Sequence, residues 1–156
     1  MTRVSVGRKV PDFELPAAAD KAVRLSGFKG RNVVLYFYPK DNTTGCTLEG
    51  RDFRDHQTKF KRLNTVILGV SRDSLKSHEN FRVKYNFRFD LLSDENEKLC
   101  RLFGVMREKN MYGRKVHGIE RSTFLIDGKG ILRREWRKVS VKSHVAEVLD
   151  AVKTLS

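Results

Sequence analysis

The sequence predicts one α/β domain, residues 1–156, with a central mixed β-sheet flanked by helices. Three observations predict it. Short apolar runs alternate along the chain with stretches whose apolar residues recur at helical spacing. The run Val33-Val34-Leu35-Tyr36-Phe37-Tyr38 is apolar on both faces, as a central strand is. The 156 residues are enough for a single sizeable core, with no linker, internal repeat or low-complexity tract to divide them.

The first thirty residues read as short strands and turns. Arg31-Asn32 leads into the strand Val33–Tyr38, which Pro39 ends because proline has no ladder donor. A polar loop, Lys40 to Gly45, follows. A helix is expected from about Thr44 to Arg62, with Phe53, His56, Phe60 and Leu63 on its inner face. Val66–Val70 is a second buried strand. Ser71 to Ser74 turns the chain and caps a helix carrying Leu75, Phe81 and Tyr85. Phe89–Leu92 is a short strand. Ser93-Asp94 caps a helix through Leu99 and Leu102 that Gly104 stops. Residues 105–120 are expected to be irregular and basic. Ser122–Ile126 and Ile131–Trp136 flank Asp127-Gly128-Lys129-Gly130 as a β-hairpin. A last helix starts near Ser143, with Val145, Val148, Leu149 and Val152 at i, i+3, i+4 and i+7. This order is that of a thioredoxin-like fold, although other α/β domains share it.

Composition narrows the function classes. No apolar run approaches the roughly 20 residues that span a bilayer. Met1–Gly7 lacks the apolar stretch of a secretory signal, so no membrane partner and a cytoplasmic location are expected. Two cysteines, Cys46 and Cys100, are too few for a disulfide scaffold, and in a reducing compartment they rest as thiols. His56, His78, His117 and His144 are scattered and none forms a short ligand pair with a cysteine, so neither a metal nor another cofactor is expected. The formal charge is +13, and residues 101–140 hold 11 basic and 4 acidic residues. No nucleic-acid motif accompanies that charge, so a solvated basic surface is favoured over a nucleic-acid partner.

Cys46 carries the chemistry. It stands just after a loop that leaves a buried strand, at the start of a helix. The thiolate is the reactive form of cysteine, and the unpaired N–H groups and positive dipole end of a helix N-terminus favour an anion. The bland alternative is an inert buried cysteine, which has no need of the polar Thr43-Thr44-Gly45 before it. Thr43 stands where a C-x-x-C motif has its first thiol. Its hydroxyl can donate to the sulfur and accept from a protonated substrate oxygen, or it can simply cap the helix.

The string Pro39-Lys40-Asp41-Asn42-Thr43-Thr44-Gly45-Cys46 fits P-x-x-x-T-x-x-C and closely resembles the peroxiredoxin active-site motif. Tyr36–Asp41, Cys46–Glu49, Gly118–Arg121 and Phe124–Asp127 resemble the bacterioferritin-comigratory (PrxQ-type) branch, and the resemblance covers essentially the whole chain. It implies a thiol-dependent peroxidase acting on hydrogen peroxide and organic hydroperoxides. Cys46 would be the nucleophile, Thr43 would hold the peroxide oxygens, and Pro39 would shield the site from water. Arg121 would set a fixed charge beside the thiolate, and Glu49 would orient that arginine. Relatives of this branch often carry a resolving cysteine five residues after the first, where this chain has Arg51. Cys100 follows Cys46 by 54 residues on another helix. A one-cysteine cycle is therefore expected, recycled by thioredoxin, glutaredoxin or a small thiol, in a monomer or weak dimer. Two other readings compete. A disulfide reductase lacks the first thiol of C-x-x-C. A basic nucleic-acid or unfolded-chain binding protein would reuse a redox fold.

Overall fold

The computed structural model describes residues 4–155, apart from the side chain of Met111. In chain order its elements are β1 (Glu14–Ala17), β2 (Lys21–Arg24), β3 (Asn32–Phe37), α1 (Thr44–Arg62), β4 (Thr65–Ser71), α2 (Leu75–Tyr85) and β5 (Asp90–Ser93). Then come α3 (Lys98–Leu102), β6 (Met106–Met111), β7 (Arg114–Ile119), β8 (Ser122–Ile126), β9 (Leu132–Trp136) and α4 (His144–Lys153).

The strand that is apolar on both faces lies inside a mixed sheet of order β2-β1-β5-β4-β3-β8-β9. β3 pairs in parallel with β4 and antiparallel with β8. Period-2 alternation sends its side chains to two separate cores. Val33, Leu35 and Phe37 pack with Leu99, Cys100 and Phe103 around α3. Val34, Tyr36 and Tyr38 pack with Cys46, Phe53 and Phe60 of α1, Phe81 of α2 and Val145 and Val148 of α4. Phe53 stacks on Tyr36 with centroids 4.5 Å apart. Removing that ring would cost about 3–5 kcal/mol.

The bounds of α1 are those expected, but its inner face differs. Cys46, Glu49, Gly50, Phe53 and Phe60 are buried, whereas His56 is half-buried. Ser74 caps α2 by accepting from the Ser77 N–H. Asp94 reaches over one turn to accept from the N–H groups of Leu99 and Cys100, so α3 starts only at Lys98. Gly104, at φ +66°, ends that region.

Residues 105–120 are not irregular. They form the antiparallel hairpin β6–β7, with Met106 opposite Ile119 and Met111 opposite Arg114. Tyr112 and Gly113 make its two-residue turn with φ of +54° and +77°, the left-handed pair that matches strand twist. The outer part of this ribbon is exposed on both faces, so it lacks the apolar alternation by which a strand is recognised.

Candidate active site

The end of β3 and the start of α1 build the site. The chain leaves β3 at Tyr38, turns through Pro39–Thr43 with Asn42 at φ +63°, and enters α1 at Thr44. The first intrahelical bond runs from the Thr47 N–H to the Thr43 carbonyl. The N–H groups of Thr44, Gly45 and Cys46 therefore lie ahead of the helical ladder. Thr43 is the N-cap residue, yet its hydroxyl does not cap. It donates to the Lys40 carbonyl at 2.8 Å, which leaves its lone pairs as acceptors.

Cys46 is 2% exposed. Arg121 Nη2 donates to its Sγ at 3.4 Å, and Arg121 Nη1 donates to Glu49 Oε1 at 2.6 Å. The sheet register delivers that arginine. Ser122 pairs with Phe37, so Arg121 stands where β3 ends and the loop to Cys46 begins. Its carbonyl accepts from the Val139 N–H, which fixes the backbone there. Cys46 and Glu49, three residues apart, share a helix face.

Glu49 is fully buried, and its second carboxylate oxygen has no partner among the described residues. Burial pushes its carboxyl up to about 7, against the pull of Arg121. Burial alone would lower the Arg121 guanidinium, but the charges of Glu49 and Cys46 outweigh it and hold the group up, so it remains a cation. Glu49 lies in the second turn of α1 and faces inward.

Gly45 has a steric reason for its place. A Cβ there would lie 3.0 Å from Arg121 Nη2, the atom that meets the sulfur. The structure thus joins Cys46, Arg121 and Glu49 in one chain of contacts. Thr43 and Pro39 lie on the connecting loop, and Pro39 is half-buried where the strand ends.

Two further polar residues meet here, Asp41 on the loop and His78 behind it. Asp41 and His78 are buried and joined by a 2.7 Å contact. His78 had no sequence signal, since its partner is 37 residues away. The second cysteine lies elsewhere. Cys100 is fully buried in the core on the opposite face of the sheet. Burial, with the Asp94 charge, raises its thiol far above the usual range.

Comparison with known proteins gives the family. The AhpC/TSA family model matches residues 6–135. The chain is 50% identical over 153 residues to Peroxiredoxin Bcp of Bacillus subtilis, covering 98% of each chain. It is 52% identical over 150 residues to Peroxiredoxin Bcp of Xanthomonas campestris, covering 90% of this chain and 94% of that one. Among solved structures, a Xylella fastidiosa PrxQ mutant superposes with a TM-score of 0.92 at 41% identity, covering 98% of each chain. The X. campestris bacterioferritin comigratory protein, described for its alkyl peroxide reduction activity, superposes with a TM-score of 0.90 at 46% identity, covering 96% of this chain and 98% of that one. With a cysteine at an open helix end, an arginine on its sulfur, a thioredoxin-like sheet and relatives matched over nearly their whole length, the chain belongs to the AhpC/TSA family, among the peroxiredoxins of the Bcp/PrxQ type.

Proposed function

We propose that this peroxiredoxin reduces hydrogen peroxide and organic hydroperoxides through Cys46. The observation that carries the assignment of residues is the 3.4 Å contact between Arg121 and the buried Cys46 sulfur at the N-terminus of α1. The Cys46 thiolate attacks one peroxide oxygen. An S–O bond forms, the O–O bond breaks, and the leaving oxygen takes both electrons of that bond and a proton. Cys46 becomes a sulfenic acid, and the peroxide becomes water or an alcohol.

Charge builds on the leaving oxygen during this step. Arg121 and the free N–H groups at the start of α1 are the donors suited to receive it. Arginine keeps its charge and presents a rigid fork, one arm for Glu49 and one for the reacting atoms. Thr43, with its proton on the Lys40 carbonyl, offers an acceptor to the peroxide O–H. Pro39, at the strand end, keeps water from the loop.

Recycling runs through an external thiol, from thioredoxin, glutaredoxin or a small molecule. That thiol attacks the sulfenic sulfur, an S–S bond forms and water leaves. A second thiol then releases Cys46. The location of Cys100 beyond the sheet supports this one-cysteine cycle.

The test is peroxide consumption with dithiothreitol as reductant, wild type against Arg121→Ala. Losing a charged donor should slow the reaction by about 100-fold. An unchanged rate in the folded variant would remove Arg121 from the reaction.

A further inference from the structure

The loop that carries Thr43 into Cys46 is mostly exposed. Lys40, Asn42 and Thr43 face solvent, and Pro39 is half-buried. Asp41 is the exception, at 4% exposure. Its backbone N–H donates to Asp73 Oδ2 at 2.9 Å. Its carboxylate accepts from three groups: Tyr38 Oη at 2.7 Å, Ser77 Oγ at 2.8 Å and His78 Nδ1 at 2.7 Å. These partners come from the end of β3, the β4–α2 turn and the first turn of α2. Asp73 is itself held, since the Ser71 hydroxyl donates to its carboxylate and the Ser93 hydroxyl to its carbonyl.

His78 is fully buried, and both ring nitrogens face acceptors. Nε2 lies 2.9 Å from the Leu92 carbonyl, and Nδ1 faces the Asp41 carboxylate. Both contacts are within hydrogen-bond distance, so the ring is held from two sides, by the loop and by β5. Asp41, Asp73 and His78 also group their potential metal-ligating atoms within 4.8 Å, but these atoms are engaged by the hydrogen bonds just described. Such a contact tolerates little displacement, because breaking it leaves buried polar groups without partners.

We infer that Asp41, gripped by His78, is the anchor that holds the Pro39–Thr43 loop and the first turn of α1 in the geometry for attack on peroxide. Asp41 and His78 are thus positioning residues, and neither touches the sulfur. This rests on the reading of Cys46 as the peroxidatic residue. The anchor lies two residues before Thr43 and five before Cys46, with no other fully buried side chain between it and Gly45. Loosening it lets the loop drift, which misaligns Thr43 and the helix N–H groups while uncovering Cys46, a residue only 2% exposed.

The two effects have opposite signs, and that separates positioning from plain stability. Rate constants for Cys46 with hydrogen peroxide and with iodoacetamide should be measured in Asp41→Asn, His78→Leu and His78→Asn, well below each melting temperature. In Asp41→Asn and His78→Leu the peroxide rate should fall by about 10- to 100-fold, the loss that a misplacement near 1 Å produces. Alkylation should speed up in the same samples. His78→Asn retains a donor near the Nδ1 position and should recover part of both changes. Ser77→Ala, which deletes one of the three donors, gives a graded version in a variant less prone to misfold. A ratio of the two rates that stays at the wild-type value in folded variants, whatever their melting temperatures, would overturn the inference. A wild type inert to peroxide would instead refute the function proposed above, and the alkylation rates alone would still read the anchor.

Discussion

At the scale of single residues, the site depends on a few atoms whose neighbours matter more than their own type. Glu49 is the clearest case. In the sequence it is one of 19 acidic residues, and only resemblance to a family marks it. In the structure it is buried without solvent and holds one arm of Arg121. Arg121 was equally anonymous among 32 basic residues, because the register that brings it to Cys46 spans 75 residues. Cys46 stands out in the sequence by contrast, since the loop that opens its helix is a local feature. Gly45 offers a sharp test. Gly→Ala within a helix ordinarily stabilises by about 0.5–1 kcal/mol. Here the new methyl group would push on Arg121 Nη2, 3.0 Å away, and move the guanidinium off the sulfur. Gly45→Ala should therefore reduce peroxide about tenfold more slowly, a part of the roughly 100-fold or more that losing the donor outright costs. Equal rates would show that Arg121 moves without consequence.

At the scale of elements, strands and helices with a strong apolar period were read from the sequence nearly to the residue, α1 above all. The hairpin β6–β7 was missed because it packs against nothing along its outer part and so leaves no apolar alternation. Its Tyr112-Gly113 turn was the available signal, a left-handed pair that Tyr does not advertise. The sheet as a whole separates the two cysteines, with α1 on one face and α3 on the other. Joining them would require carrying one cysteine past the sheet. Cys100→Ala should keep dithiothreitol-coupled turnover within about twofold of wild type, although its small cavity costs stability. Peptide mapping of oxidised wild type should find no Cys46–Cys100 bond. Rapid formation of that disulfide, with turnover lost in Cys100→Ala, would replace the one-cysteine cycle with an intramolecular one.

At the scale of the whole molecule, two buried titratable groups work against each other. Folding raises the Glu49 carboxyl from 4.5 to about 7, so the folded chain binds the extra proton and stability falls as pH rises through that window. His144 donates to or accepts from the Thr123 hydroxyl at 2.8 Å, and burial lowers it from 6.5 to about 4. For His144 the unfolded chain binds the extra proton, so stability falls as pH drops through its window. The windows overlap and the slopes oppose. Urea unfolding of wild type should change little between about pH 4.5 and 6.5. Glu49→Gln should unmask stability that rises with pH there, and His144→Gln stability that falls. Identical slopes in all three proteins would remove both groups from the account. The formal +13 belongs to this scale too. It was legible at once from composition, but it identifies no residue of the site.

The claim on which the rest depends is that Cys46 takes an oxygen from peroxide. Intact mass after one equivalent of hydrogen peroxide, followed by dimedone trapping and peptide mapping, tests it most directly. Wild type and Cys100→Ala should each gain one oxygen atom, trapped as a dimedone adduct on the peptide holding Cys46. Cys46→Ser should gain nothing and consume no peroxide, because a serine hydroxyl without an activating base is a far poorer nucleophile. An adduct on Cys100 alone, or peroxide turnover by folded Cys46→Ser, would contradict the account.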